Sequence, residues 1–210
     1  MPERVTDSHL PASSLPVVAV FDFDGTISKG DSLAAFLREA RGVTRYYVGL
    51  VILAPRYLQY ALGLISDGRA KEIVLTHFLK GYHEERLRAV AEKFASAELP
   101  RHVRRAALER LHWHRRQKHR TILISGSPVL YLRPWAKAVG FDDVSATELA
   151  VEQGKITGRI LGRNCIGPEK VKRLVQLLGD LSRYSIYAYG DSHGDKELLA
   201  RANHPYYRPF

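Results

Sequence analysis

Two kinds of hydrophobic patterning divide this chain. The first is the short unbroken apolar run. Val17–Phe21, Thr121–Ile124 and Ser185–Tyr189 are rich in β-branched and aromatic residues and bounded by polar ones, the pattern of strands buried on both faces. The second is helical spacing, which fills the interval from Asp31 to His119 with no convincing strand. There Leu33, Phe36, Leu37 and Ala40 make one stripe, started by Asp31 or Ser32 as cap and stopped at Gly42. Helical patterns continue over Asp67–Glu98, broken near Gly81. A further helix is expected over Arg101–Arg120, burying Val103, Ala107, Leu108 and Leu111. After Thr121 strand and helix alternate. Expected are helices Val129–Val139, Pro168–Leu178 and Lys196–Ala202, a short strand Val144–Ala146, and a hairpin of Leu149–Val151 with Ile156–Ile160 through Gly154. Tyr206-Tyr207 would be a last edge strand.

Alternation of this kind argues an α/β fold, a Rossmann-like parallel sheet with right-handed crossovers. The first strand belongs to that sheet although the rest of it follows residue 120. The expected organisation is therefore a core of residues 17–30 and 120–210, with a helical cap, residues 31–119, inserted over the sheet's carboxyl edge. Residues 1–16 are polar, contain proline and acidic residues, and read as a mobile tail rather than a signal peptide.

Tyr46–Ile65 is the most apolar stretch and approaches the length of a membrane span. Pro55, Arg56 and Gln59 stand at its centre, however, and a charge at mid-bilayer costs about 2.5–3.5 kcal/mol. Two short helices meeting near Pro55 fit better than a transmembrane helix. They form either the core of the cap or a contact with lipid. Of the 210 residues 26% are charged and 45% hydrophobic, values ordinary for a soluble globular protein. The single cysteine, Cys165, excludes a disulfide framework and points to a reducing, cytoplasmic setting. A net charge of +10 suits an anionic partner, whether a phosphorylated metabolite, nucleic acid or a membrane surface.

Chemistry collects at the strand ends. The first strand runs into Asp22-Phe23-Asp24-Gly25-Thr26. Strand alternation puts both carboxylates on one side, where an oxygen-rich pair calls for a cation such as Mg²⁺. The second ends in Ser125-Gly126, and the late one in Gly190-Asp191-Ser192-His193-Gly194-Asp195. Lys170 stands near the start of the helix between them. It is preferred to Lys172 and Arg173 because Pro168 marks that start. Nucleophile, acid/base, anion donors, a fixed cation and metal ligands are all represented.

These four motifs, in this order, resemble those of the haloacid dehalogenase superfamily. The long insertion after the first motif is similar to that of its subfamily IB, the phosphoserine-phosphatase-like group, near which phosphatidylglycerophosphatase C also falls. The resemblance implies Mg²⁺-dependent hydrolysis of a phosphate monoester through an aspartyl phosphate. Asp22 would be the nucleophile, and Asp24 the acid and then the base. Ser125, the Gly126 N–H and Lys170 would bind the phosphoryl group. The metal would be held by Asp22, the Asp24 carbonyl and Asp191. Asp195 would either join it through water or orient Lys170. Because Asp24 is present, dehalogenation is not expected. Thr26 would brace the turn, and Asp31 stands where phosphoserine phosphatases carry a substrate-binding acid, although a helix cap explains it equally well.

Other features read as structural. His112, His114 and His119 fall on a basic, solvated helix, His193 on an exposed loop, and Cys165 lacks a nucleophile's partner. The leading expectation is a phosphatase of a small organic phosphate. Alternatives are a phospholipid-headgroup phosphatase in peripheral contact with an anionic membrane, or a phosphomutase. Nucleic-acid binding through Arg101–Arg120 is not expected, since only Trp113 interleaves the basic residues.

Overall fold

The computed structural model describes residues 15–210, so the tail expected before the first strand lies outside the described residues except for Leu15 and Pro16. Pro16 already joins the sheet, its carbonyl accepting from Ser185 N–H at 3.0 Å. The strands are β1 (Val17–Phe21), β2 (Arg120–Pro128), β3 (Asp143–Glu152), β4 (Lys155–Leu161), β5 (Ser185–Gly190) and β6 (His204–Tyr207). They form one sheet in the order β4-β3-β2-β1-β5-β6, parallel except for the β3–β4 hairpin. β1 lies inside the sheet, and its period-2 alternation explains its unbroken apolar run. Val18 and Val20 enter one core layer with Ile122, Ile124, Leu174 and Leu198. Ala19 and Phe21 enter the other, with Leu123, Trp135 and Tyr189. Full burial stabilises by about 1.5–3 kcal/mol for each such large side chain.

Six helices separate β1 from β2: α1 (Ser32–Arg41), α2 (Val43–Ala61), α3 (Asp67–Leu79), α4 (Glu84–Lys93), α5 (Leu99–His102) and α6 (Arg105–Arg116). α7 (Val129–Val139), α8 (Pro168–Leu178) and α9 (Lys196–Leu199) follow β2, β4 and β5. α3 lies so close to β4 that a Cβ at Gly158 would stand 2.3 Å from Thr76 Cα, and Gly158 has φ +83°.

Several elements differ from expectation. Tyr46–Ile65 is not two helices meeting at Pro55: α2 continues unbroken past Pro55 to Ala61. Proline there removes the hydrogen bond to the Val51 carbonyl, but Val51 is 75% exposed, so water can take that bond and the break is not enforced. The Arg101–Arg120 helix is interrupted. Val103 pairs with Ser28 in an isolated bridge, Lys29 N–H donates to His102 O and Arg104 N–H to Ile27 O, both at 2.8 Å. The entry and exit of the helical segment thus lie side by side, and α6 begins only at Arg105. Between α4 and α5 the turn Phe94–Glu98 is π-helical, widening the helix just before Pro100, whose ring would otherwise crowd the preceding turn. β3 is a single strand through Glu152, and the last helix ends at Leu199.

His114 is also not on a solvated face. It is fully buried beneath the sheet, its Nε2 2.9 Å from Tyr189 Oη and its Nδ1 2.8 Å from His119 Nδ1. Burial, with the positive charges of His119 and Arg110 adding, pushes its pKa down to about 3. In the unfolded chain it titrates near 6.5. The unfolded state therefore binds the proton that the folded state refuses. The stability tied to a neutral His114 is complete above pH 6.5 and falls as pH drops toward 3, by about 1.4 kcal/mol per unit. Urea unfolding at pH 7 and pH 5 should reveal about 2 kcal/mol from this group. His114→Gln should flatten that dependence, and an unchanged slope would clear His114 as its source.

Candidate active site at the carboxyl edge of the sheet

The site grows out of the end of β1. Asp22 N–H extends the ladder by one bond to Tyr189 O, 2.9 Å. Alternation then turns the Asp22 side chain toward α8, while Phe23 goes to the opposite layer and meets the Trp135 ring edge-on, centroids 4.9 Å apart. Pro168 opens α8 and sets Lys170 in its first turn, 2% exposed. Lys170 Nζ donates to Asp22 and to Asp195, itself wholly buried. The N–H of Gly167, just before α8, donates to Gly194 O at 2.8 Å and ties the lysine's helix to the acidic loop.

The electrostatics follow from burial. Desolvation raises the Asp22 carboxyl to about 7, the Lys170 ammonium opposing and Asp195 and Asp24 adding. Burial alone would depress Lys170, but its two carboxylates outweigh it and raise its pKa, so it keeps its proton. Asp195 is desolvated too, yet Lys170 and the Ser192 N–H and hydroxyl hold its pKa below the usual carboxylate range. Its second oxygen accepts from Asp191 N, Ser192 N and Ser192 Oγ at 2.9–3.2 Å.

Asp24 is held differently. One oxygen accepts from Ser32 N–H at the start of α1, 2.7 Å, and from Ser28 Oγ at 3.4 Å; the other accepts from Ser127 Oγ. Ser127 is aimed there by a register shift in β2 between Ser125 and Pro128, and its N–H donates to Ser125 Oγ at 3.1 Å. Asp191 accepts from Thr26 Oγ1 at 3.1 Å. Gly25, φ +78°, turns the chain between them. A Cβ there would stand 2.2 Å from Asp191 Oδ2, so only glycine leaves that carboxylate its place.

Asp22, Asp24, Ser125, Gly126 and Lys170 line one cavity of about 430 Å³. Asp191 and Asp195 stand beside Asp22, the three offering carboxylate oxygens within 4.8 Å of one another. The donor set is all oxygen, carries more negative charge than Lys170 balances, and so fits a hard divalent cation. Asp31 reaches the cavity mouth, but its carboxylate caps α1, accepting from Leu33 N at 2.8 Å and Ala34 N at 3.3 Å. His193 is exposed, 3.5 Å from Asp67. Cys165 is buried, and burial raises its thiol to about 11, which leaves it unreactive.

Residues 19–200 match the haloacid dehalogenase-like hydrolase family. The chain belongs to that family. It is 34% identical to Protein CicA of Caulobacter vibrioides over 196 residues, covering 93% of this chain and 87% of that one. A protein of unknown function from Bordetella pertussis Tohama I has the same fold, with TM-score 0.76 and 25% identity over 89% of this chain and 87% of its own. So has phosphoserine phosphatase, solved as an analogue of its phospho-aspartyl intermediate, with TM-score 0.60 and 19% identity over 90% and 84%.

Three residues at the site of this haloacid dehalogenase-like hydrolase, Lys71, Ser32 and Ser127, were not expected there. Lys71, from α3, enters the cavity and donates to Gly126 O at 2.7 Å, a placement that only tertiary packing reveals. Ser127 was legible in principle, two residues past Ser125 on a strand. The buried pair makes a direct prediction: Lys170→Met leaves Asp22 and Asp195 without their cation. Denaturant unfolding near pH 8 should show a loss of about 3–5 kcal/mol, shrinking at lower pH as Asp22 takes a proton; a loss independent of pH would contradict the charge argument.

Proposed function

We propose that the protein is a Mg²⁺-dependent phosphatase that hydrolyses a phosphate monoester through an aspartyl phosphate, an acyl phosphate on Asp22. The observation that carries this reading is the state of Asp22: buried, hydrogen-bonded to Lys170, and facing a cavity it shares with Ser125, Gly126 and Asp24. Asp22 attacks phosphorus as the bond to the leaving oxygen breaks, and Asp24 gives that oxygen its proton. Water then attacks phosphorus, Asp24 takes the proton, and the bond to Asp22 breaks to release inorganic phosphate. The hydrogen bonds from Ser32, Ser28 and Ser127 keep the Asp24 carboxyl in one place for both transfers.

Ser125 and the Gly126 N–H donate to the phosphoryl oxygens, and Lys170 balances their charge. The Asp22 and Asp191 carboxylates and the Asp24 carbonyl would hold Mg²⁺, which would neutralise charge on the transferred group. Of the two roles weighed for Asp195, its hydrogen bonds support positioning Lys170 and the acidic loop. Residues 31–101 act as a cap over this edge and read the leaving group; α6, packed beneath the sheet through His114, falls outside the cap expected over 31–119. A phospholipid-headgroup phosphate is a second reading, supported by an apolar cavity beside the site. Phosphomutase chemistry, with a sugar hydroxyl in place of water, finds no such support.

Release of phosphate from p-nitrophenyl phosphate should require Mg²⁺, stop with a chelator and return on adding the metal back. Asp22→Asn should abolish it, and Asp24→Asn should slow it by about 10²–10⁴-fold. Full activity in Asp22→Asn would overturn the mechanism.

A further inference from the structure

α2 is apolar on nearly every side yet buried on only one. Tyr46, Gly49 and Leu53 are buried and Leu50 half-buried, at the spacing of a single helix face. On the opposite face Val48, Val51, Ile52 and Leu58 are 54–75% exposed, and Leu62 and Leu64 continue the exposure beyond the helix. Ten of the fifteen large apolar side chains exposed among the described residues fall between Val43 and Leu64, so this is a patch and not the ordinary scatter. A helix with apolar residues all round calls for cover all round.

Charge indicates what the cover is. From Val43 to Ser66 there is no acidic residue, and the two charged ones, Arg45 and Arg56, lie three turns apart on the same flank of the exposed face. The whole chain carries +10. A second copy packed antiparallel on this face would set the basic flank beside another basic flank, whereas an anionic lipid surface complements it. Depth is limited as well. Among the described residues no helix is long and apolar enough to cross a membrane, and the Val51 carbonyl freed by Pro55 needs water or a headgroup within reach.

The inward side of α2, opposite that face, borders the site. Beneath α2 lies a cavity of about 360 Å³ walled by Leu33, Leu37, Leu50, Leu53, Tyr57 and Phe78. Asp31, Lys71 and Ile166 line both it and the cavity that holds Asp22. We propose that the exposed face of α2 docks the protein on an anionic lipid bilayer, the helix lying in the plane of the interface. Docked there, the apolar cavity receives the apolar part of a phosphate monoester drawn from the bilayer, a clause that rests on the phosphatase reading, whereas the docking itself does not.

The full chain should be sedimented with vesicles of phosphatidylcholine alone, and of phosphatidylcholine with an equal amount of phosphatidylglycerol, at about 50 mM and about 500 mM salt. Binding is expected on the anionic vesicles, weaker by about tenfold on neutral ones and reduced by salt. The double variant Val51→Asp with Leu58→Asp touches neither cavity wall. It should lose vesicle binding while hydrolysing p-nitrophenyl phosphate at the parent rate, which also shows that it folds. Absence of binding to anionic vesicles, or binding unchanged in the double variant, would overturn the proposal. So would a parent dimer that the double variant dissociates, which would give the face to a second copy. Vesicle binding by a parent protein that releases no phosphate from p-nitrophenyl phosphate with Mg²⁺ would instead remove the phosphatase reading and leave the docking standing.

Discussion

Three charges buried together, Lys170 between Asp22 and Asp195, constrain everything around them. All three are almost wholly shut off from bulk water, so each must be met by a partner at hydrogen-bond distance, and a misplacement of one leaves the others uncompensated at a cost of several kcal/mol. The three come from β1, α8 and the loop after β5, elements far apart in sequence. The sheet brings β1 and β5 together as neighbours, and the Gly167–Gly194 bond fixes α8 against the loop. Close packing completes the constraint: a Cβ on Gly190 would stand 2.5 Å from Asp195 Cβ. The site is thus held by the same contacts that hold the sheet in register.

Much of this was legible because it is local. β1, β2 and β5 announce themselves as apolar runs buried on both faces, and each ends at the residues that enter the site. Helix α8 begins at Pro168 and α7 spans Val129–Val139, as their patterns indicate. Asp22, Asp24, Ser125, Gly126 and Lys170 converge on one cavity because strand ends and a helix start meet there. The family match over residues 19–200 agrees with the motif order.

What was not legible depends on partners distant in sequence. Nothing in the basic run 101–120 tells that Val103 will pair with Ser28, or that His114 will turn inward to Tyr189 while its neighbour His112 stays outside. Pro55 is a fair reason to break a helix, overruled because the carbonyl it frees is at the surface. Lys71 reaches the site only through the way α3 leans on β4 at Gly158. Helix spacing reports which face is apolar, not what that face will meet. For α2 the two differ most.

The pairing of Ile27–Lys29 with His102–Arg104 has an architectural consequence. The helical segment leaves the sheet and returns to it through one narrow two-stranded neck, stapled by Lys29–His102 and Arg104–Ile27. With its ends clasped there, the length of what lies beyond imposes little on the strands, since the loop is already closed where it matters. The neck is a socket at which the insertion could lengthen or shorten without drawing β1 and β2 apart. The reach of the inserted segment and the spacing of the strand ends are therefore free to change on separate schedules.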